Sequence, residues 1–355
     1  MTMAQTSQAN SAPDATGAEL AGAIRRLARS SVLVVGDAML DRTVYGEVGR
    51  VSQDAPVLVV QHELATLGGA GNIVRVLGAL GVAVAFVSVV GDDQAGADLT
   101  GLIGGQPGVE PWLLVQGGRV TTLKTRFVAQ AAPGGQQLLR ADREETAPIH
   151  PKLADRLLRI ARDAMAATSV TILSDRNKGV LAGEVPARLI EAARQVGRRI
   201  VVDLRGAAFA RYAGADVAVA SCRDVVAPGV TPLEHDDAVA AGAAALRERH
   251  GFGAVLVRRG AEGLTLAHAS GIQHFRTQAT EMVDGLGVGE TVVAVLGAAL
   301  AADLDLLLAA RLASIAGGVA MSRIGNAVVR EVDLVRALGG TVLLATGTAE
   351  SAASD

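Results

Sequence analysis

The sequence predicts an α/β fold, a doubly wound and mostly parallel sheet with a small β-sheet lid. Short apolar runs recur along the chain and end in polar or acidic residues, and helical stretches separate them at the spacing of right-handed crossovers. Two further segments break that rhythm by alternating apolar and polar residues, the pattern of short antiparallel strands with one face in water.

The first run, Ser31-Val32-Leu33-Val34-Val35, stops at Gly36-Asp37. Being apolar on both faces, it suits a parallel strand covered by helices on each side. Residues 82–90 before Gly91-Asp92-Asp93, 170–173 before Ser174-Asp175, 199–202 before Asp203, 216–220 before Ser221 and 254–257 before Arg258-Arg259-Gly260 repeat the pattern. Helices are expected between them at 72–80, 153–167, 186–195 and 237–250. Polar residues thus gather where strands end, which is where ligands bind in such sheets. Segments 43–62 and 112–142 carry the alternating pattern with Gly and Pro punctuation and are expected to build the lid. The most apolar stretch, 291–321, is interrupted by Asp303, Asp305 and Arg311 and reads as two buried helices, not a membrane span. Residues 1–20 lack the basic start and apolar run of a signal peptide and read as a disordered tail. Residues 346–355 read as a flexible tail, which leaves 21–345 as the folded domain.

Half of the 355 residues are apolar, enough for one large core. Only 2% are aromatic while glycine and alanine abound, so helices can lie close on the sheet. The net charge of −3 and the lack of a basic run argue against nucleic acid or an anionic membrane as partner. The single cysteine, Cys222, excludes a disulfide framework and a four-cysteine zinc site and suits the reducing cytoplasm.

The segment richest in chemistry is Asp284-Gly285-Leu286-Gly287-Val288-Gly289-Glu290-Thr291, followed by an apolar helix at 292–301. Alternating glycines before a helix leave N–H groups open at a positive dipole end, a cradle for a transferring phosphoryl group. Glu290 is either a base for an attacking hydroxyl or a partner of the helix dipole. Leu67-Gly68-Gly69-Ala70-Gly71-Asn72 opens another helix. Asn72 is either a donor and acceptor for sugar hydroxyls or an N-cap. Asp41, just past the first strand, is either a ligand for vicinal hydroxyls or a cap or surface charge.

These motifs, in this order, resemble a known family. The run from Val34 to Arg42, then Tyr45-Gly46, Arg50-Val51-Ser52, Ala55-Pro56-Val57 and Gly68-Gly69-Ala70-Gly71-Asn72, is similar to the ribokinase-like (PfkB) carbohydrate kinases. Within them it resembles most the heptose-7-phosphate kinases of lipopolysaccharide-core biosynthesis. The likeness continues through Thr125-Arg126, Gln136-Gln137-Leu138-Leu139-Arg140-Ala141-Asp142, Leu173-Ser174-Asp175, Lys178-Gly179, Asp203-Leu204-Arg205-Gly206, Arg259, Gly263 and the 284–291 segment, covering about residues 31–340. The related two-domain enzymes carry a nucleotidyltransferase half, and the chain is expected to lack one.

The resemblance implies ATP and Mg2+ as co-substrate and cofactor and a sugar phosphate as acceptor. Asp41, Gly69, Asn72, Arg126 and Asp175 would line the sugar pocket, with Arg126 and Lys178 on the substrate phosphate. Arg205 and Arg259 would face the ATP phosphates; Ser221, Asp224, Gly263 and Ser314 complete the nucleotide side. Gly287, Val288 and Gly289 would form the anion hole with Glu290 as base. Magnesium would ride on the phosphates through water and few carboxylates, Asp224 among them. Lid strands pairing across a two-fold axis imply a homodimer.

The family pattern is broken in three places. The anion hole reads Gly287-Val288-Gly289-Glu290 where Gly-Ala-Gly-Asp is usual, and Leu286 replaces a threonine. Glutamate's extra methylene moves the carboxylate by roughly 1–1.5 Å, and misplacement of about 1 Å costs up to ~10²-fold in rate. Ser221 and Asp224 stand where Asn-x-x-Glu is usual, and Ser314 where asparagine is. All lie on the nucleotide side. The expectation is therefore an ATP-dependent heptose 7-phosphate kinase, with an impaired sugar-phosphate-binding protein and a kinase for a different sugar as alternatives.

Overall fold

The computed structural model describes residues 16–51, 56–130, 135–206, 209–225, 236–277, 285–323, 325–326 and 328–338. Strand β1 (Ser31–Gly36) lies inside the large sheet. Its Val32 and Val34 enter one core layer and its Leu33 and Val35 the other. This period of two is why one strand can bind helices on both faces. β1 pairs in parallel with β4 (Ala83–Gly91) and with β8 (Val170–Ser174). β5 (Val109–Gln116) follows β4; β9 (Arg199–Asp203), β10 (Val217–Ser221) and β11 (Ala254–Arg258) follow β8, all in parallel. β12 (Leu264–His268) and β13 (Gly271–Phe275) complete the nine-stranded sheet antiparallel.

Helices α1 (Gly17–Leu27), α2 (Ala70–Ala79), α3 (Gln94–Gly104), α8 (Val288–Ala301) and α9 (Leu306–Met321) pack on one face. α4 (Pro151–Ala167), α5 (Val185–Gln195) and α7 (Asp236–His250) pack on the other, and α6 (Cys222–Val225) is a single turn after β10. α8 is buried around nearly its whole circumference, as its run of Val, Leu and Ala requires. A Cβ on its Gly297 would stand 2.5 Å from Ile172 Cδ1, so the missing side chain lets α8 lie directly on β8. Among the described residues no helix is long and apolar enough to cross a membrane.

The lid is a four-stranded sheet of β2 (Ala38–Val51), β3 (Pro56–Gly69), β6 (Leu123–Ala129) and β7 (Gln136–Arg143), in the order β3-β2-β6-β7. Only Asp37 separates β2 from β1, and β3 ends at Gly69, the cap of α2. The lid is therefore rooted on the strand end where a ligand is expected.

The lid boundaries differ from the expected ones. Residues 112–116 of the expected 112–142 segment belong to β5, where Trp112 pairs with Val87 in the large sheet. An edge strand with one exposed face alternates as a lid strand does, so the pattern alone does not separate them. β2 also pairs with β6 in parallel, not antiparallel. The expected disordered tail at 1–20 is corrected too, because α1 starts at Gly17 and Leu20 is buried. Its signals were a capping box of Thr16 and Glu19 and apolar residues at 20, 23, 24 and 27. Residues 1–15 and 346–355 lie outside the described residues.

Candidate active site

The site is built on the start of α8. Gly287 caps the helix with φ +76, a left-handed backbone that favours glycine, and a Cβ there would lie 2.1 Å from Asn326 Oδ1. Val288, Gly289 and Glu290, expected as a turn before the helix, are its first residues. Asp284 lies outside the described residues. Thr291 N–H is the donor that reaches the Gly287 carbonyl, so the first-turn N–H groups lack intrahelical acceptors at the positive end of the dipole.

Two cavities meet at this turn. One, of about 240 Å³, is lined by Asp41, Gly69 and Asn72 from the lid and α2 and by Lys124, Arg126 and Arg140 from β6 and β7; Arg176, Arg205, Gly287, Gly289 and Glu290 close it. It is strongly cationic, with Asp41 and Glu290 as its carboxylates. Arg126 Nη1 lies 3.6 Å from Asp41 Oδ1. Burial pushes the Asp41 carboxyl up and the Lys124 ammonium down, each against its neighbours' charges. Asp41 Oδ1, Arg126 Nη1, Asn72 Nδ2 and Asn326 Oδ1 are buried without a hydrogen-bond partner. Unpaired buried polar atoms around one cavity are what a polyhydroxy ligand would satisfy.

The other cavity, of about 520 Å³, runs along the ends of β10 and β11 to α9. Arg205, Ser221, Asp224, Arg258, Gly263, Val288, Gly289 and Ser314 line it among a larger apolar share. Arg205 and Gly289 belong to both cavities. The helix start thus stands as a shared wall, with Glu290 on the cationic side.

Glu290 is 8% exposed, and its Oε1 accepts from Arg176 Nη2 at 2.9 Å and from Arg205 Nη2 at 3.3 Å. Burial alone would raise its pKa; the guanidinium charges of Arg176, Arg205 and Arg258 override that and hold it at about 2. Arg176 also donates to Asp203, which is fully buried, and Asp203 Oδ1 lies 3.5 Å from Arg258 Nη1. Alternating charges therefore run from Arg258 through Asp203 and Arg176 to Glu290 and Arg205. The Arg258 guanidinium packs against the bare Cα of Gly289, where a Cβ would come within 2.2 Å of Nη1.

The family of the chain follows from its length of match. A model of the "pfkB family carbohydrate kinase" matches residues 29–331. The chain belongs to the pfkB family of carbohydrate kinases. The kinase is 53% identical over 322 residues to the "Bifunctional protein HldE" of Acidiphilium cryptum, an alignment covering 90% of this chain and 65% of that one. It is 44% identical to the protein of that name from Paramagnetospirillum magneticum, over 89% and 64%. The chain thus spans just under two thirds of these relatives. Among solved structures, phosphofructokinase-2 from Escherichia coli in complex with potassium superposes with a TM-score of 0.72 at 17% identity, over 88% and 98% of the two chains. Arabidopsis thaliana ribokinase complexed with ribose and ATP does so with 0.68 at 18%, over 87% and 98%. At such identities these structures share the kinase's fold.

Most of the expected positions converge on the two cavities of the kinase, and four do not fill the expected role. Asp175 is 4% exposed and turned from the cationic cavity: its carboxylate accepts from Asn177 N–H, Arg211 Nη2 and the Tyr212 hydroxyl at 2.7, 2.9 and 2.6 Å. Lys178 Nζ pairs with Glu144 at 2.8 Å and does not line that cavity. Arg259 is 1% exposed and pairs with Asp236; Arg258 lines the nucleotide-side cavity instead. Successive residues at a strand end point to opposite faces, so an offset of one exchanges their roles. Asp224 lines the cavity, yet Oδ2 accepts from Ser221 N–H at 2.8 Å and Ser221 Oγ–H at 2.6 Å, and Oδ1 from Gly206 N–H at 3.3 Å. Among the described residues no group of three His, Cys, Asp or Glu is placed to hold a metal ion. These side chains do not build a magnesium cage.

Sequence reasoning missed Arg176, Arg258, Lys124, Arg140 and Asn326. The first two follow Ser174-Asp175 and Val257 at strand ends, where a charged neighbour in sequence carries the same signal. Lys124 directly precedes the Thr125-Arg126 motif, and Arg140 belongs to the 136–142 motif itself. Asn326, which donates to Leu67 O at 3.0 Å, had no local signal, since it meets the lid only through the fold.

Proposed function

We propose that this kinase transfers the γ-phosphate of ATP to the anomeric hydroxyl of a heptose 7-phosphate, with Glu290 as base. The observation that carries the proposal is the shared wall: Gly289 and Arg205 line both cavities, and Glu290 faces the cationic one. A nucleotide in the larger cavity and a sugar in the smaller would meet at the helix start. The sugar O–H would give its proton to the Glu290 carboxylate, its oxygen would form a bond to the γ-phosphorus, and the bond to the β-phosphate oxygen would break to release ADP. The helix N–H groups and Arg205 would hold the charge spread over the transferring oxygens.

The heptose phosphate rests on the likeness to the HldE proteins and on the cations. Arg126, Lys124 and Arg140 line the cavity in the role expected of Lys178 and suit a phosphate on the far end of the sugar. The test is ATP-dependent phosphorylation of heptose 7-phosphate beside a panel of other sugars and sugar phosphates, with Glu290→Gln as control. Turnover is expected to be lost in that variant. Full turnover there removes Glu290 as base, and preference for another acceptor removes the heptose.

The hold of two arginines on Glu290 also supports a second reading, an impaired kinase that binds a sugar phosphate. Calorimetry separates the two, because the second reading predicts sugar phosphate binding without ATP–magnesium binding. A cytoplasmic homodimer belongs to the same proposal. Val59, Val60, Leu64, Leu138 and Leu139 of the lid are exposed apolar side chains, which a second lid would cover. Light scattering should give twice the mass of one chain.

A further inference from the structure

Cavities, charge clusters and exposed apolar faces outside the site point to no ligand, but one buried group inside it has no assigned task. Arg176 is 7% exposed and placed between two carboxylates, Asp203 behind it and Glu290 in front. Its main chain is fixed as well. Arg176 N–H donates to Asp37 Oδ2 at 2.8 Å, and the same buried carboxylate accepts from Lys178 and Val180 N–H at 3.0 and 3.1 Å. Arg205, the other cation on Glu290, has a side chain 56% exposed, and its main chain is held through its carbonyl, which accepts from Asn177 Nδ2 at 3.1 Å.

We infer that Arg176 is the positioning residue for the Glu290 carboxylate, compensating the longer reach of glutamate by holding one carboxylate oxygen from a guanidinium locked to Asp203 and to the β8 strand end. The inference rests on Glu290 being the base. A glutamate has one more rotatable bond than an aspartate, so its carboxylate sweeps a wider arc unless it is held. A planar guanidinium with a rigid donor fork, itself fixed by a second carboxylate, restricts that arc far better than solvent or a mobile lysine. The cost is basicity: the same contact lowers the carboxylate's proton affinity. Charged groups facing Glu290 are Arg176 after β8, Arg205 and Asp203 at β9, Arg258 ending β11 and Asp41 on β2; Lys124, Arg126 and Arg140 line the cavity beyond.

The experiment measures kcat and kcat/KM across pH for wild type, Arg176→Met, Arg176→Lys and Glu290→Gln. Dividing each variant's profile by that of the wild type cancels the titration of the substrate phosphate. Arg176→Met should lose about 10²-fold in kcat through misplacement, and the acid limb of its profile should rise by roughly one to three pH units. Arg176→Lys should keep the limb nearer wild type and recover part of kcat. An acid limb unmoved in Arg176→Met overturns the inference, whether kcat falls or not, since a structural role would lower stability without moving it. If Arg176→Met does not fold, an unmoved limb and unchanged kcat in Arg176→Lys overturn it. Full turnover in Glu290→Gln instead overturns the assignment of the base, so the two failures are told apart.

Discussion

Arg205 and Glu290 meet across the seam between the two cavities, Arg205 Nη2 donating to Glu290 Oε1 at 3.3 Å while more than half of the arginine side chain stays exposed. One residue therefore touches the base and lines the place proposed for the phosphates. Replacing Arg205 by Met removes a charge-assisted bond, each worth roughly 1.5–3 kcal/mol. Steady-state kinetics should show kcat/KM for ATP falling by roughly 10- to 150-fold. A smaller change in KM for the sugar phosphate is expected, because Arg126, Lys124 and Arg140 remain.

The opposite pattern is expected at Asp41. Its Oδ1 is buried with no hydrogen bond, only the 3.6 Å ion pair to Arg126, so a sugar hydroxyl is a natural donor. Asp41→Asn should raise the sugar KM by about tenfold or more, with KM for ATP close to wild type. Equal changes in both constants would place Asp41 outside the sugar contact.

Gly289→Ala separates folding from catalysis. Alanine is a better helix residue by about 1 kcal/mol, and its Cβ meets only the movable end of Arg258, at 2.2 Å from Nη1. The melting temperature should change little, since the helix gain is offset where Arg258 moves off the buried Asp203 carboxylate, while kcat falls as Arg258 is displaced from beside the helix start. A variant that keeps full kcat would show that Arg258 does not act there.

Arg258 and Arg259 should likewise separate. Arg259→Met breaks the contact with Asp236, which is a third exposed and can regain water, so denaturation should show a loss of roughly 1–3 kcal/mol. Arg258→Met should change nucleotide kinetics and also cost stability, because it takes a cation from the fully buried Asp203 carboxylate, whereas Arg259→Met should leave nucleotide kinetics near wild type.

Glu290 also makes stability depend on pH. Its folded pKa of about 2 lies below the ordinary 4.5 because three arginine charges outweigh burial. The ionised form is thus favoured by folding, a contribution on the order of 3 kcal/mol present above about pH 4.5 and lost as pH falls towards 2. Urea unfolding at about pH 6 and about pH 3 should show a larger loss for the wild type than for Glu290→Gln.

The strands that end in ligand-side residues were legible because each run, such as 31–35 before Gly36-Asp37, is apolar on both faces and cut by a polar stop. The glycines at 287 and 289 were legible because a helix start with left-handed backbone and a close guanidinium leaves little choice of residue. Asp175, Lys178 and Arg259 were misread for one reason. A charged residue at a strand end can face the cleft or the body, and the choice depends on partners far along the chain: Arg211 and Tyr212, Glu144, and Asp236.

The sequence alone determined the layered sheet, the presence of a lid, the glycine-rich entry to the apolar helix and the family to which they belong, since these follow from periodicity and from residues with few conformational alternatives. Only the tertiary structure decided which cations surround Glu290 and that the helix start divides two cavities. Those facts are distances between residues far apart in sequence, fixed when β8, β9, β11 and α8 pack together, and no local pattern encodes them.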